Sequence, residues 1–115
     1  MVFSDDAMKQ VWLFDQALGA GTKSGGAEDT DYYYRILLNN KTVIYNPKWY
    51  VYHNHGRRLE AERIKLYSNY TIGQGTFYGK YILKKRSQHA IKLFFGELNL
   101  TTPVKKLICL LSFIY

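Results

Sequence analysis

Residues 19–27, Gly-Ala-Gly-Thr-Lys-Ser-Gly-Gly-Ala, hold four glycines and no large apolar side chain. Such a stretch adds nothing to a core, so regular structure must be built on either side of it and joined through a loop that is expected to be mobile and close to a site. The loop runs straight into Glu28-Asp29-Thr30-Asp31-Tyr32, which places three carboxylates in the first turn of what reads as a helix. Acidic side chains at a helix N-terminus are kept ionised by the dipole and by free N–H groups. A charged carboxylate beside glycines that let a ligand approach the backbone can act as a base. The plainer role of the same residues is to stabilise the start of the helix.

At 115 residues and 47% hydrophobic content the chain can fill one modest core, and a single compact unit is expected. Sixteen Lys and Arg against nine Asp and Glu give a net charge of +7, which favours anionic partners such as nucleotide phosphates or acidic lipid surfaces. One cysteine, Cys109, excludes a disulfide within the chain and any cysteine-based zinc cluster. The N-terminus lacks a basic region followed by an apolar run, so a cytoplasmic protein is expected. Leu107 to Tyr115 is strongly apolar but only nine residues long, against the ~20 needed to span a bilayer. After Lys105-Lys106 it suits a helix resting on an anionic leaflet and, equally, a helix packed into the core.

Ser4 to Asp6 can cap a helix carrying Met8, Val11, Trp12, Phe14, Ala17 and Leu18 until Gly19 stops it. A second helix starts near Glu28, buries Tyr33, Ile36 and Leu37, and ends at Asn39-Asn40. Thr42-Val43-Ile44-Tyr45 and Trp49-Tyr50-Val51-Tyr52 are rich in β-branched and aromatic residues and predict a short hairpin about Asn46-Pro47-Lys48. From Arg57 the pattern is helical, basic and tyrosine-rich, with Gly73 and Gly75 expected to interrupt it before Phe77. Residues 1–56 and 57–115 thus read as a first unit and a helical extension. Eleven tyrosines among basic residues could stack on bases, but no RNA- or DNA-binding signature accompanies them, and nucleic acid is disfavoured.

The ordered set Phe14-Asp15, Leu18-Gly19-Ala20-Gly21, Gly26-Ala27-Glu28-Asp29-Thr30-Asp31, Arg35, Asn46-Pro47 and Val51-Tyr52-His53-Asn54-His55 resembles the C-terminal half of the catalytic domain of family 2 inverting glycosyltransferases. The likeness covers roughly residues 10 to 58 and extends loosely into the Tyr- and Gly-containing helix to about residue 80. It implies an α/β architecture, the C-terminal portion of a Rossmann-like GT-A domain, helix-rich with a short β-hairpin. It also implies transfer of a sugar from a nucleotide-sugar donor to the hydroxyl of a saccharide or other acceptor, with inversion.

Carried over by residue, the resemblance makes Asp29 the catalytic base, Glu28 with Gly25 and Gly26 the acceptor-binding side, Asp31 a helix-turn acid and Arg35 a partner that fixes a carboxylate. His53, His55, Arg57 and Arg58 fall on the diphosphate or metal side. A divalent metal, Mg or Mn, is implied with its main ligands outside this chain. No counterpart of the family's N-terminal half, with its metal-binding Asp-x-Asp, precedes Phe3, so the chain is expected to be a fragment carrying the base without a complete active site.

The competing function is a non-catalytic basic module. In it the segment from Arg57 to Lys92 and the apolar tail dock on an anionic membrane, at its inner face, or on a protein partner, and the acidic turn is only a cap.

Overall fold

The structure is a computed structural model that describes residues 3–52, 54, 56, 58–100 and 102–112. Among the described residues five α-helices follow one another: α1 (Asp5–Val11), α2 (Glu28–Leu38), α3 (Glu60–Gly79), α4 (Gln88–Leu100) and α5 (Pro103–Ser112), with a π-helical turn, Lys80–Lys84, between α3 and α4. Helix, the π turn included, accounts for 62% of the described residues, and no strand or sheet occurs among them. The expected α/β, Rossmann-like architecture with a β-hairpin is therefore corrected to an all-helical one.

The hairpin fails for a physical reason. Residues 42–52 form no regular element and are exposed, and the turn closes only through the Trp49 N–H donating to the Asn46 carbonyl at 3.2 Å and the Lys48 N–H donating to Asn46 Oδ1 at 3.0 Å. No ladder joins Thr42–Tyr45 to Tyr50–Tyr52, and Ile44, Tyr45, Val51 and Tyr52 all project into solvent. A two-stranded ribbon is marginal in water without a further strand or a helix to cover one face, so strand propensity alone does not pair these residues. The segment instead spans a groove of about 820 Å³ over Phe3, Ala7, Tyr33 and Ile36.

Helix α1 is shorter than its apolar spacing predicts. Ser4 caps it, its Oγ accepting the Ala7 N–H at 3.3 Å, and it stops at Val11 because Trp12 turns to φ 63°. Arg35 of α2 causes the break: its guanidinium donates to the carbonyls of Val11 and Leu13, which could not then point along a helix. Val11, Tyr32 and Ile36 form a small core between α1 and α2.

The larger core draws Tyr34 from α2, Phe77 and Tyr78 from α3, Tyr81 from the π turn, Ala90 and Phe94 from α4 and Cys109 from α5. The rings meet edge to face, as the aromatic quadrupole favours, with Tyr34 and Tyr81 centroids 4.4 Å apart and Tyr78 and Phe94 5.1 Å apart. The Tyr34 and Ser87 hydroxyls hydrogen-bond at 2.7 Å, and Ser87 Oγ accepts the Ala90 N–H at 3.2 Å, so the start of α4 is tied to α2.

Gly73 and Gly75 do not interrupt α3, which runs through both. Gly73 is needed for a close approach: a Cβ there would lie 2.7 Å from the carbonyl carbon of Gly26. Helix and glycine loop thus touch backbone to backbone. Gly73→Ala is expected to force them apart and cost roughly 1–3 kcal/mol, read from urea denaturation monitored by circular dichroism.

Candidate functional site

The glycine loop is folded on itself before it reaches α2. Thr22 Oγ1 donates to the Gly19 carbonyl at 2.8 Å, Ser24 Oγ donates to the Ala17 carbonyl at 2.7 Å, and the two hydroxyls lie 2.6 Å apart. Gly25, at φ 74°, presses on the backbone of Asn69, where a Cβ would come within 2.9 Å of the carbonyl oxygen. Gly26 is buried against α3. Both glycines proposed for the acceptor side are therefore seated on α3, and the loop sets where α2 begins.

The acidic residues of the first turn of α2 have different surroundings. Asp29 is exposed, and its Oδ1 accepts the N–H of Thr30 at 2.7 Å. Glu28 is half-buried, with its carboxylate carbon 3.8 Å from where a Cβ on Gly19 would stand. Asp31 is fully enclosed, at 0% exposure.

Asp31 is held from three sides. Arg35, one helical turn on, donates from Nε to Oδ2 at 2.8 Å, while Lys80 Nζ and the Tyr81 hydroxyl, the latter at 2.9 Å, both donate to Oδ1. Lys80 also donates to Asp15 Oδ2 at 2.8 Å, and the Ala17 N–H donates to Asp15 Oδ1 at 2.9 Å. One ammonium thus joins the loop before the glycines to the third carboxylate of α2. Consecutive residues Lys80 and Tyr81 both reach Asp31 at the point where α3 widens into the π turn, closed by the Lys85 N–H donating to the Lys80 carbonyl at 3.3 Å. Widened turns of this kind re-aim side chains relative to a regular helix.

Charges in this cluster are shifted by their neighbours. The hydrogen bond from Lys80, aided by the Ala17 N–H, holds the Asp15 carboxyl below its ordinary value. Its contribution to stability is complete above the usual carboxylate range and is lost as pH falls through the lowered value. Burial, followed by the hydrogen bond to Asp31, raises the Tyr81 phenol; burial, followed by the hydrogen bond to Glu97, raises that of Tyr78.

Beside this cluster runs an apolar groove of about 490 Å³, lined by Phe3, Met8, Trp12, Leu13, Phe14 and Tyr32, with Asp5 and Lys9 on its rim. Phe14 stacks on Tyr32 with centroids 4.5 Å apart, and Trp12, 75% exposed, stands at the end of α1. Tyr32 follows Asp29 by three residues, so the two share a face of α2.

Of the residues assigned to the diphosphate or metal side, His53, His55 and Arg57 lie outside the described residues. Arg58 is exposed ahead of α3, where its N–H donates to Glu62 Oε2 at 3.2 Å. Among the described residues no group of three His, Cys, Asp or Glu is arranged to hold a metal ion. Lys80 and Tyr81 were not singled out in the sequence. The signal for Tyr81 is the register Phe77, Tyr78, Tyr81 on one face of a helix; Lys80 shows itself only as the cation that a buried Asp31 requires.

No known protein family, curated protein or solved structure matches this chain.

Two measurements separate the roles of these groups. Asp31→Asn removes the carboxylate of Arg35 and one of the two that hold Lys80, and is expected to cost roughly 3–5 kcal/mol in urea denaturation, whereas Asp29→Asn should stay within about 0.5 kcal/mol of wild type. The raised Tyr78 and Tyr81 phenols contribute stability that is complete below the unfolded-state value near 10 and is lost as pH rises above it. The thermal midpoint should accordingly fall above about pH 10, and Tyr78→Phe with Tyr81→Phe should flatten that fall.

Proposed function

We propose that this chain is the acceptor-side part of an inverting sugar transferase in which Asp29 is the base. The observation that carries the proposal is the contrast within one helical turn: Asp31 is enclosed and fixed by Arg35, Lys80 and Tyr81, while Asp29 stands exposed beside the glycine loop. The helix start is anchored by one carboxylate and leaves another open to a substrate. The ordered motifs from Phe14-Asp15 to His55 support the same reading.

The aromatic groove adds a seat for the acceptor. A pyranose ring has an apolar face of C–H groups that rests on aromatic rings, and Trp12 and Phe14 offer such rings in a groove they share with Tyr32, three residues after Asp29 on α2. In the proposed step the Asp29 carboxylate takes the proton of the acceptor hydroxyl as its oxygen attacks C1 of the donor sugar. The bond from C1 to the diphosphate oxygen breaks, the nucleoside diphosphate leaves with the bonding electrons, and configuration at C1 inverts. Glu28 accepts hydrogen bonds from neighbouring hydroxyls of the acceptor. The donor, a nucleotide sugar, is bound largely by groups outside the residues described.

The test is transfer from nucleotide sugars by the longest polypeptide the gene encodes that contains this chain. Asp29→Asn should lower kcat by about 10²–10⁴-fold with donor binding retained, the usual contribution of a general base. Trp12→Ala should raise the acceptor KM several-fold with little change in kcat. Full turnover in Asp29→Asn would return the acidic turn to the role of a helix start.

A further inference from the structure

The C-terminal helices carry a surface that the sugar-transfer reading does not use. Between Lys84 and Ser112 there are six cationic side chains, Lys84, Lys85, Arg86, Lys92, Lys105 and Lys106, against a single carboxylate, Glu97. Glu97 is turned inward, where Gln74 Nε2 donates to its Oε1 and the Tyr78 hydroxyl to its Oε2. Among the described residues none of the six cations forms an ion pair, and all but half-buried Lys106 are exposed.

Helix α5 adds an apolar strip to this charge. It packs along α3 through Cys109, whose thiol burial raises above its ordinary value. On the side away from Cys109, Leu107, Leu110 and Leu111 recur at helical spacing and stand 59%, 47% and 63% exposed. Ten residues of helix reach about 15 Å, half the hydrocarbon thickness of a bilayer. Among the described residues no helix is long and apolar enough to cross a membrane.

We infer that the outward face of α5, with the cations of residues 84–106, docks the protein on an anionic lipid surface. The leucines enter the boundary between headgroups and acyl chains, and the lysines and arginine meet the lipid phosphates. Charge complementarity selects this occupant over a second copy of the chain, because two copies would bring six uncompensated cations against six. It also fits a diffuse anionic surface, since the cations are spread over α4, α5 and the turn before α4 and converge on no pocket. The inference is independent of the chemistry assigned to Asp29.

The experiment is vesicle flotation of the 115-residue chain with phosphatidylcholine vesicles containing 30% phosphatidylglycerol or none, in 0.1 M and 0.5 M NaCl, about values at which the screening length falls from ~10 Å to roughly 4 Å. Binding to the anionic vesicles at low salt should exceed binding to the neutral ones by at least about tenfold. L107S/L110S/L111S should lower it by at least about tenfold, and K84Q/K85Q/R86Q by on the order of a hundredfold, at roughly fivefold per cation. Leu111→Ser alone, at the most exposed of the three positions, stands in if the triple variant loses its helical circular dichroism. Equal binding to neutral vesicles, no binding to either, or anionic binding that ignores the leucine changes would overturn the inference. So would a wild-type dimer in sedimentation velocity that L107S/L110S/L111S dissociates, since a second copy would then cover the face. Capture of an acidic protein without any affinity for vesicles would overturn it as well.

Discussion

A carboxylate with no contact to water is the constraint around which the rest of the molecule is arranged. Burying Asp31 unpaired would cost more than the entire margin of a small domain, so every element near it contributes a donor. Arg35 comes from the same helix, while Lys80 and Tyr81 come from the end of α3, nearly fifty residues away in sequence. Arg35 then uses two further N–H groups on the carbonyls of Val11 and Leu13, and Lys80 a second hydrogen on Asp15. One buried charge thereby fixes the end of α1, the approach to the glycine loop, the start of α2 and the π turn. Such a network specifies a single arrangement because each member would be left unsatisfied in any other.

That arrangement explains why local pattern reads some elements well and others poorly. The start of α2 at Glu28 and its end near Asn39 follow from short-range chemistry, acids in the first turn and a tight turn after the last apolar residue. The end of α1 does not. Phe14, Ala17 and Leu18 continue a helical spacing, and only the reach of Arg35 from another helix shows why the backbone departs at Trp12. The glycines of α3 mislead in the same way. Gly73 looks like a break in isolation and is instead the position at which a loop backbone lies against a helix backbone. The paired strands expected over 42–52 depend on a sheet partner, which propensity cannot supply.

The site is legible to a different degree. The glycine loop and its carboxylates are visible at once in the sequence, but sequence alone ranks Asp29 and Asp31 only by resemblance, because it carries no measure of enclosure. Burial separates them: one carboxylate has three donors and no solvent, the other has solvent and its own neighbouring backbone N–H. The partners that make this difference, Lys80 and Tyr81, sit in a stretch whose pattern reads as ordinary basic helix.

The irregular segment 42–52 has a consequence for the chain in solution. Its backbone groups at Thr42–Tyr45 and Tyr50–Tyr52 make no hydrogen bond within the described residues, and its side chains are among the most β-prone in the sequence. Open edges of this composition are templates for like strands. The unpaired backbone groups of this segment lie outside the helical core, so they are accessible while that core stays folded.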